Sequence, residues 1–317
     1  MALSKKKRVL ITGGGGFIGA NFAREFVKLG YKTYILKHTS DSWRLKGIKR
    51  QLKIGYIDLK NYNELESFIL KIRPQIILHF AAYGVYSRKQ QDTKKMIDTN
   101  LIGTINLVNA LSKIKFDCLI YTGSTSEYGI KNKPMKETDL LEPNNLYGIT
   151  KAAATMYCQY MAKKLNLPIV NTRLFAPYGY FEEKERLVPT IIKSCLENSE
   201  LNLSFPNSVR DFIFTEDIIE AYLIIIKNIK KIKGEIFNIG TGTQTTIDEL
   251  IGIIKKITGS TIKPKYEQVK IAQIEPKNWM ADISKIKKIL NWQPKYKLEE
   301  GLEKNIKWFK KNIYLYK

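Results

Sequence analysis

Cysteine is scarce in this sequence: Cys118, Cys158 and Cys195 are the only three in 317 residues, far apart and within apolar segments. No CxxC pair or Cys/His spacing accompanies them, which excludes a disulfide framework and a zinc-type centre. Buried, unreactive thiols and no metal site are expected. Histidine is scarcer still, with His38 and His79 alone. His79 closes a buried-strand pattern and has no carboxylate or serine arranged with it as a triad, so it reads as a structural residue and hydrolase chemistry has little support. Long apolar runs are missing too, since nothing approaches the roughly 20 residues of a membrane span. Met1 to Arg8 leads straight into a strand without the apolar core of a signal peptide, so a cytoplasmic protein with no membrane partner is expected. Acidic residues number 30 against 53 basic ones, a net charge of +23. The lysines are spread along the whole chain with no RNP, helix-turn-helix or zinc-finger pattern, so the charge reads as a solvated surface and no nucleic-acid partner is expected.

What is present is a large apolar complement, 44% of residues, enough for a sizeable core. In the first two thirds, short apolar runs alternate with longer amphipathic stretches. The runs are residues 8–12, 33–36, 52–57, 76–79, 118–121 and 168–172; the helix-like stretches include 21–29, 62–72, 99–114 and 147–165. Strand and helix in this alternation predict a Rossmann-type doubly wound parallel sheet of the α/β class. After Phe175 the rhythm breaks into loops, short helices and isolated strand candidates at 211–214 and 235–239. This predicts a cofactor-binding domain over 1–176 and a smaller C-terminal substrate-binding lobe over 177–317, with segments that can return to the sheet.

Four consecutive glycines follow the first strand run, and Gly13, Gly16 and Gly19 stand at GxxGxxG spacing before Phe17 and Ile18 open a helix pattern. Lacking Cβ atoms, such residues permit a tight turn and close approach to a pyrophosphate, which the helix N-terminus then faces with free N–H groups. The second strand ends next to Lys37, where an acidic residue usually grips the adenosine ribose of NAD. A lysine pairs instead with a 2′-phosphate, and Thr39, Ser40 and Arg44 can assist, so NADP(H) is expected in preference to NAD(H). Asp58 and Leu59, after the third strand, are expected to border the adenine.

Tyr147 and Lys151 form a YxxxK pattern at the start of a helical segment, one turn apart on one face. A phenol is a poor base at neutral pH, but a nearby ammonium favours the phenolate and makes it a usable proton carrier. The hydroxyl-rich run Ser124 to Gly129 follows a strand candidate, at the carboxyl end where doubly wound sheets bind ligands.

Nine motifs in order resemble one family, the extended short-chain dehydrogenase/reductases of the NAD-dependent epimerase/dehydratase type, which act on nucleotide sugars. They are the segments 12–19, 79–82, 100–104, 124–129, 147–151, 173–179, 210–214, 237–240 and 290–294. The resemblance implies that Ser124 hydrogen-bonds the reacting sugar oxygen, Tyr147 is the acid/base and Lys151 holds the nicotinamide ribose. It implies further cofactor contacts from Phe80, Ala81, Ala82, Asn100 and Pro177. The implied substrate, a nucleotide-diphosphate sugar, would meet Tyr83, Thr125, Ser126, Arg186, Val188 and Arg210. A plain ion pair of Arg210 with Asp211 or Asp217 is the competing reading of that arginine. Thr125 and Ser126 stand where a 4,6-dehydratase carries an Asp-Glu pair, which disfavours dehydration unless Glu127 takes that part. Ala176 stands where many relatives have asparagine. The expected reaction is NADPH-dependent reduction of a nucleotide-linked 4-keto-6-deoxy sugar; an epimerase working through a transient C4 ketone is the alternative, a 4,6-dehydratase the third reading, and a catalytically silent cofactor-binding protein the reading from another class. A homodimer is implied through two helices, with Ile97, Leu101, Thr104, Leu107, Val108, Met156, Tyr157 and Met161 as candidates for its face; facing the sheet is the other reading of the same residues.

Overall fold

The computed structural model describes residues 7–37, 43–84, 91–203, 205–266 and 277–316. In chain order the strands are β1 (Arg8–Thr12), β2 (Lys32–Lys37), β3 (Lys53–Tyr56), β4 (Ile76–His79), β5 (Cys118–Ser124), β6 (Ile169–Leu174), β7 (Ala176–Tyr178), β8 (Val209–Arg210), β9 (Phe212–Phe214), β10 (Ile236–Ile239) and β11 (Thr245–Thr246). The main helices are α1 (Phe17–Lys28), α2 (Tyr62–Ile72), α3 (Thr93–Ile97), α4 (Gly103–Ser112), α5 (Leu146–Lys164), α6 (Leu187–Glu197), α7 (Thr215–Ile232), α8 (Ile247–Thr258), α9 (Ser284–Leu290) and α10 (Leu298–Asn312).

Seven strands form one sheet in the order β10-β6-β5-β4-β1-β2-β3, and β1 to β6 pair in parallel. This is the doubly wound α/β fold. Its inner strands β1, β4 and β5 each carry a continuous apolar stretch, Val9–Ile11, Ile76–Leu78 and Cys118–Tyr121, because helices cover both faces. On one face, Leu10, Ile77 and Leu119 pack with Leu65 and Ile69 of α2 and Leu107 and Leu111 of α4. On the other, Phe22 of α1 lies 4.8 Å from Phe80 and 4.9 Å from Tyr222 of α7. Winding reverses between β1 and β4, which are neighbours although two strands separate them in sequence. The carboxyl ends of those two strands therefore flank the crevice where such sheets bind ligands.

The chain forms two compact units. One comprises Met1–Gly129, Thr138–Leu174 and Ile219–Phe237; the other comprises Ile130–Glu137, Phe175–Ile218 and Asn238–Lys317. The chain thus passes between units at several points. The second unit holds two small sheets, β7 with β9 in parallel and β8 with β11 antiparallel. The Asp211 carboxylate braces it, accepting from the N–H groups of Thr241, Gly242 and Ala281 at 2.7, 3.0 and 3.0 Å and from the Thr241 hydroxyl at 2.6 Å. Burial raises the Asp211 pKa even so. The three cysteines are buried thiols, and burial pushes each pKa up. Among the described residues no helix is long and apolar enough to cross a membrane, and no cluster of three potential metal ligands occurs.

Candidate active site

The glycine turn sits on the carboxyl end of β1. Gly13 has φ of +65°, which only glycine adopts without strain, and its N–H donates to the Leu36 carbonyl at 3.0 Å. A Cβ there would lie 2.7 Å from the Ala81 nitrogen, so β1 and the residues after β4 approach each other through this glycine. A Cβ on Gly19 would collide with the Gly13 carbonyl, and one on Gly14 would come within 2.7 Å of the Ile35 side chain. Gly14 is a packing requirement that the GxxGxxG spacing did not single out. Gly16 caps α1 with no side-chain hydrogen bond, and Phe17 and Ile18, half-buried, begin the helix. The first turn of α1 consequently presents backbone N–H groups beside a Cβ-free cradle, which fits a pyrophosphate.

Lys37 ends β2 and is buried, its ammonium 5.5 Å from the centre of the Tyr56 ring. Arg44 lies in the short turn Trp43–Leu45, its guanidinium 4.5 Å above Trp43. Arg24 of α1 anchors that turn by donating to the Arg44 and Lys46 carbonyls at 2.7 Å each. His38, Thr39 and Ser40 fall outside the described residues. Asp58 is exposed and accepts from the Lys60 N–H at 3.0 Å, whereas Leu59 belongs to the core.

After β4, Phe80, Ala81, Ala82 and Tyr83 are half-buried. The Asn100 amide holds this loop: it donates to the Tyr83 carbonyl at 2.9 Å and accepts from the Tyr83 N–H at 2.8 Å. It also donates to the Thr150 hydroxyl at 3.0 Å, which in turn donates to the Tyr147 carbonyl at 2.9 Å. Asn100 therefore braces the loop after β4 against the helix that carries Tyr147. It does so from a π-helical turn, Asp98–Ile102, between α3 and α4, a distortion found often at functional sites.

His79 lies beneath. Thr104 donates its hydroxyl proton to the Asn100 carbonyl at 2.6 Å, so it accepts from His79 Nε2–H at 2.9 Å. His79 Nδ1 is left to accept from the Thr12 hydroxyl at 2.6 Å. The ring is neutral and structural, its pKa pushed down to about 3 by burial first and by the Lys151 charge second.

Ser124 is the last residue of β5, because pairing with β6 continues through Thr122, Gly123 and Ser124 opposite Thr172, Arg173 and Leu174. The strand therefore outruns its apolar stretch by three residues. The Ser124 hydroxyl accepts from the Ser126 N–H at 3.1 Å, which leaves its own proton to be donated. Asn145 caps α5 by accepting from the Gly148 N–H at 2.8 Å, and the helix carries Tyr147, half-buried, in its first turn. Lys151 is 3% exposed, with Nζ 4.5 Å from the centre of the Tyr121 ring; the Tyr121 hydroxyl donates to the Lys151 carbonyl at 3.3 Å. Burial lowers the Lys151 pKa to about 8, against the opposing pull of Glu127. Tyr121 is a participant that sequence reasoning missed, for it reads as one more apolar strand residue.

Thr125 is buried and Ser126 half-buried. Glu127 is sealed inside, where its carboxylate accepts from Arg173 Nε at 2.8 Å, from the Thr155 hydroxyl at 3.0 Å and from the Ser124 N–H at 2.9 Å. Each of these partners is a donor from the protein itself.

In the second unit, Ala176 donates its N–H to the Asp211 carbonyl at 3.0 Å and Pro177 follows it, half-buried. Val188 is buried, and Arg186 pairs with Glu182 at 3.3 Å. Arg210 donates to the Val209 carbonyl at 2.7 Å and its guanidinium lies 5.7 Å from the Trp279 ring centre. The Asp211 carboxylate is engaged by backbone groups as described, and Asp217 accepts from the Lys295 N–H at 2.8 Å.

Residues 9–240 match the family described as NAD dependent epimerase/dehydratase. The UDP-glucuronate 4-epimerase of Thermodesulfobacterium geofontis is 28% identical over 97% of this chain and 98% of its own length. Human dTDP-D-glucose 4,6-dehydratase is 28% identical over 98% of this chain and 92% of its own. The crystal structure of UDP-glucuronic acid 4-epimerase from Bacillus cereus, in complex with UDP-glucuronic acid and NAD, superimposes with a TM-score of 0.86 at 27% identity, covering 96% and 99% of the two chains.

Proposed function

The chain belongs to the NAD dependent epimerase/dehydratase family, enzymes of the short-chain dehydrogenase/reductase type that act on nucleotide sugars, and from that premise we propose that it reduces a 4-keto-6-deoxy sugar carried on a nucleotide diphosphate, with NADPH as reductant. A nicotinamide held at the glycine turn supplies the hydride. Tyr147 donates its phenolic proton to the C4 oxygen, and Ser124 donates a hydrogen bond to the same oxygen, stabilising the alkoxide character that develops. Lys151 binds the nicotinamide ribose and keeps positive charge near the Tyr147 phenol. Arg210 takes the diphosphate oxygens, for which a guanidinium is geometrically suited, and Arg186 borders the nucleotide. Phe17, Ile18, Phe80, Ala81, Ala82 and Pro177 line the cofactor; Tyr83, Thr125, Ser126 and Val188 border the substrate.

The observation that carries the reductive direction is Lys37 at the end of β2. A cation there, with Arg44 in the following turn, suits a 2′-phosphate, and net reduction consumes NADPH in each turnover. An epimerase, which returns its hydride, is the second reading, favoured by the full-length likeness to UDP-glucuronate 4-epimerase. The experiment is a panel of UDP-glucose, UDP-glucuronic acid, dTDP-glucose and the 4-keto-6-deoxy sugar formed from dTDP-glucose, each with and without NADPH. Turnover of the keto sugar that requires NADPH is expected. Product formation from a non-keto sugar without added cofactor would replace reduction by epimerisation.

We also infer a homodimer. Thr104, Leu107, Val108 and Met161 are buried in their own protomer and do not contribute to a contact face. Ile97 and Ile102 on one helical stretch, with Ile149, Met156 and Tyr160 on α5, are exposed and supply it.

A further inference from the structure

A buried ion pair lies beneath the Ser124 turn. The Glu127 and Arg173 side chains are 0% and 3% exposed, with Arg173 Nε 2.8 Å from Glu127 Oε2. The guanidinium also lies 4.4 Å above the Tyr128 ring. The Thr155 hydroxyl is 3.0 Å from each carboxylate oxygen, and the Ser124 N–H donates to Oε1 at 2.9 Å. A Cβ on Gly123 would collide with that same oxygen, so the carboxylate is pressed against the backbone one residue before Ser124. A buried pair is a weak source of stability, because desolvation offsets much of the attraction; fixing one arrangement is its better-attested use.

The partners come from three elements. Ser124 ends β5, Arg173 lies on β6, and Thr155 is one turn beyond Lys151 on α5, the helix that also carries Tyr147. One carboxylate therefore ties the strand bearing the serine to the helix bearing the tyrosine and lysine. Glu127 also caps its own 3-10 turn, accepting from the Ser124 N–H while the Ser124 hydroxyl accepts from the Ser126 N–H. That reciprocal pair leaves the serine few rotational choices.

We propose that Glu127, braced by Arg173 and Thr155, is a positioning residue that fixes the backbone at Ser124 and so aligns the serine hydroxyl with the reacting sugar oxygen. This rests on the role given to Ser124 above, and the experiment separates the two. Glu127→Gln, Ser124→Ala and the double variant are compared, using the panel substrate that the wild type turns over fastest. Glu127→Gln keeps the side-chain volume but turns an amide toward Arg173. It is expected to lower kcat by about 10- to 100-fold, the order of effect of a small misplacement, while the NADPH dissociation constant stays within about twofold. In the double variant the losses do not multiply, so its kcat lies close to that of Ser124→Ala alone. A merely structural glutamate would give multiplying losses, and that result overturns the proposal, as does a wild-type kcat for Glu127→Gln beside a damaged Ser124→Ala. A wild-type kcat for Ser124→Ala overturns the role of Ser124 and this inference with it. Should Glu127→Gln fail to fold, Thr155→Val removes one donor at constant shape: a kcat loss of about threefold or more at unchanged cofactor binding supports the proposal, and an unchanged kcat overturns it.

Discussion

Replacing Lys151 by methionine is expected to abolish turnover and yet stabilise the cofactor-free protein. The ammonium is 3% exposed and burial brings its pKa from 10.5 to about 8. At 1.36 kcal/mol per pKa unit, keeping that group charged in the fold at neutral pH costs about 3 kcal/mol. The contact with the Tyr121 ring offsets part of what a methionine would gain, for a buried cation over an aromatic face is favourable by about 1–2 kcal/mol. A net gain of about 1–2 kcal/mol at pH 7 remains, a rise of several degrees in Tm at this chain length. Its sign has a pH signature. Below pH 8 both folded and unfolded chains hold the proton and the penalty is constant. Between about 8 and 10.5 the unfolded chain binds more protons than the folded one, so wild-type stability rises relative to the variant and the difference closes. Thermal unfolding of both proteins without cofactor at pH 7 and at pH 10 tests this. A methionine variant less stable than wild type at pH 7, or a difference indifferent to pH, refutes the reasoning.

Lys37→Asp is expected to weaken NADPH binding by about tenfold or more, the loss of one charge-assisted bond, and to improve NADH binding; equal affinities of the wild type for both cofactors in a fluorescence titration would already remove its basis. Arg210→Met should raise KM for the nucleotide sugar by about 10- to 100-fold with kcat little altered, and a fall in kcat at constant KM would place Arg210 elsewhere in the reaction. Light scattering at micromolar concentration should give wild-type protein at twice 36.6 kDa and Met156→Lys as a monomer, whereas a wild-type monomer contradicts the dimer.

The sheet was legible because parallel strands covered on both faces are written as continuous apolar runs, and the glycine turn because conformational need leaves no alternative residue at Gly13. Residues 8–12 and 76–79 match β1 and β4 to the residue. The end of β5 was not legible: Thr122, Gly123 and Ser124 carry no apolar signal, and only pairing with β6 extends the strand. The same register explains why the Glu127 to Arg173 pair was invisible. In the sequence Glu127 enters only as a substitute for a dehydratase carboxylate, and its partner lies 46 residues away at a position fixed by strand pairing. The helical apolar pattern at Leu107, Val108 and Met161 likewise left two answers open, since a dimer face and a core face share one periodicity. Burial decided for the core.

The buried polar groups around the site also determine which charges can change there. His79, at the end of β4, has both ring nitrogens engaged by threonine hydroxyls, and burial pushes its pKa down to about 3. It stays neutral through the range where an ordinary histidine titrates, so it imposes no acid limb on activity there. Lys151, with a pKa of about 8 in the cofactor-free protein, does titrate near neutrality. Its positive charge is complete below that value and lost above it, so kcat/KM, which reports the free enzyme, should fall as pH rises through about 8 and show no inflection near 6.5 from His79. An inflection near 6.5 that vanished in His79→Gln would mean that the threonine hydroxyls do not hold the ring as described. The absence of any fall above pH 8 would mean that the Lys151 charge is not needed for the proton transfer at Tyr147.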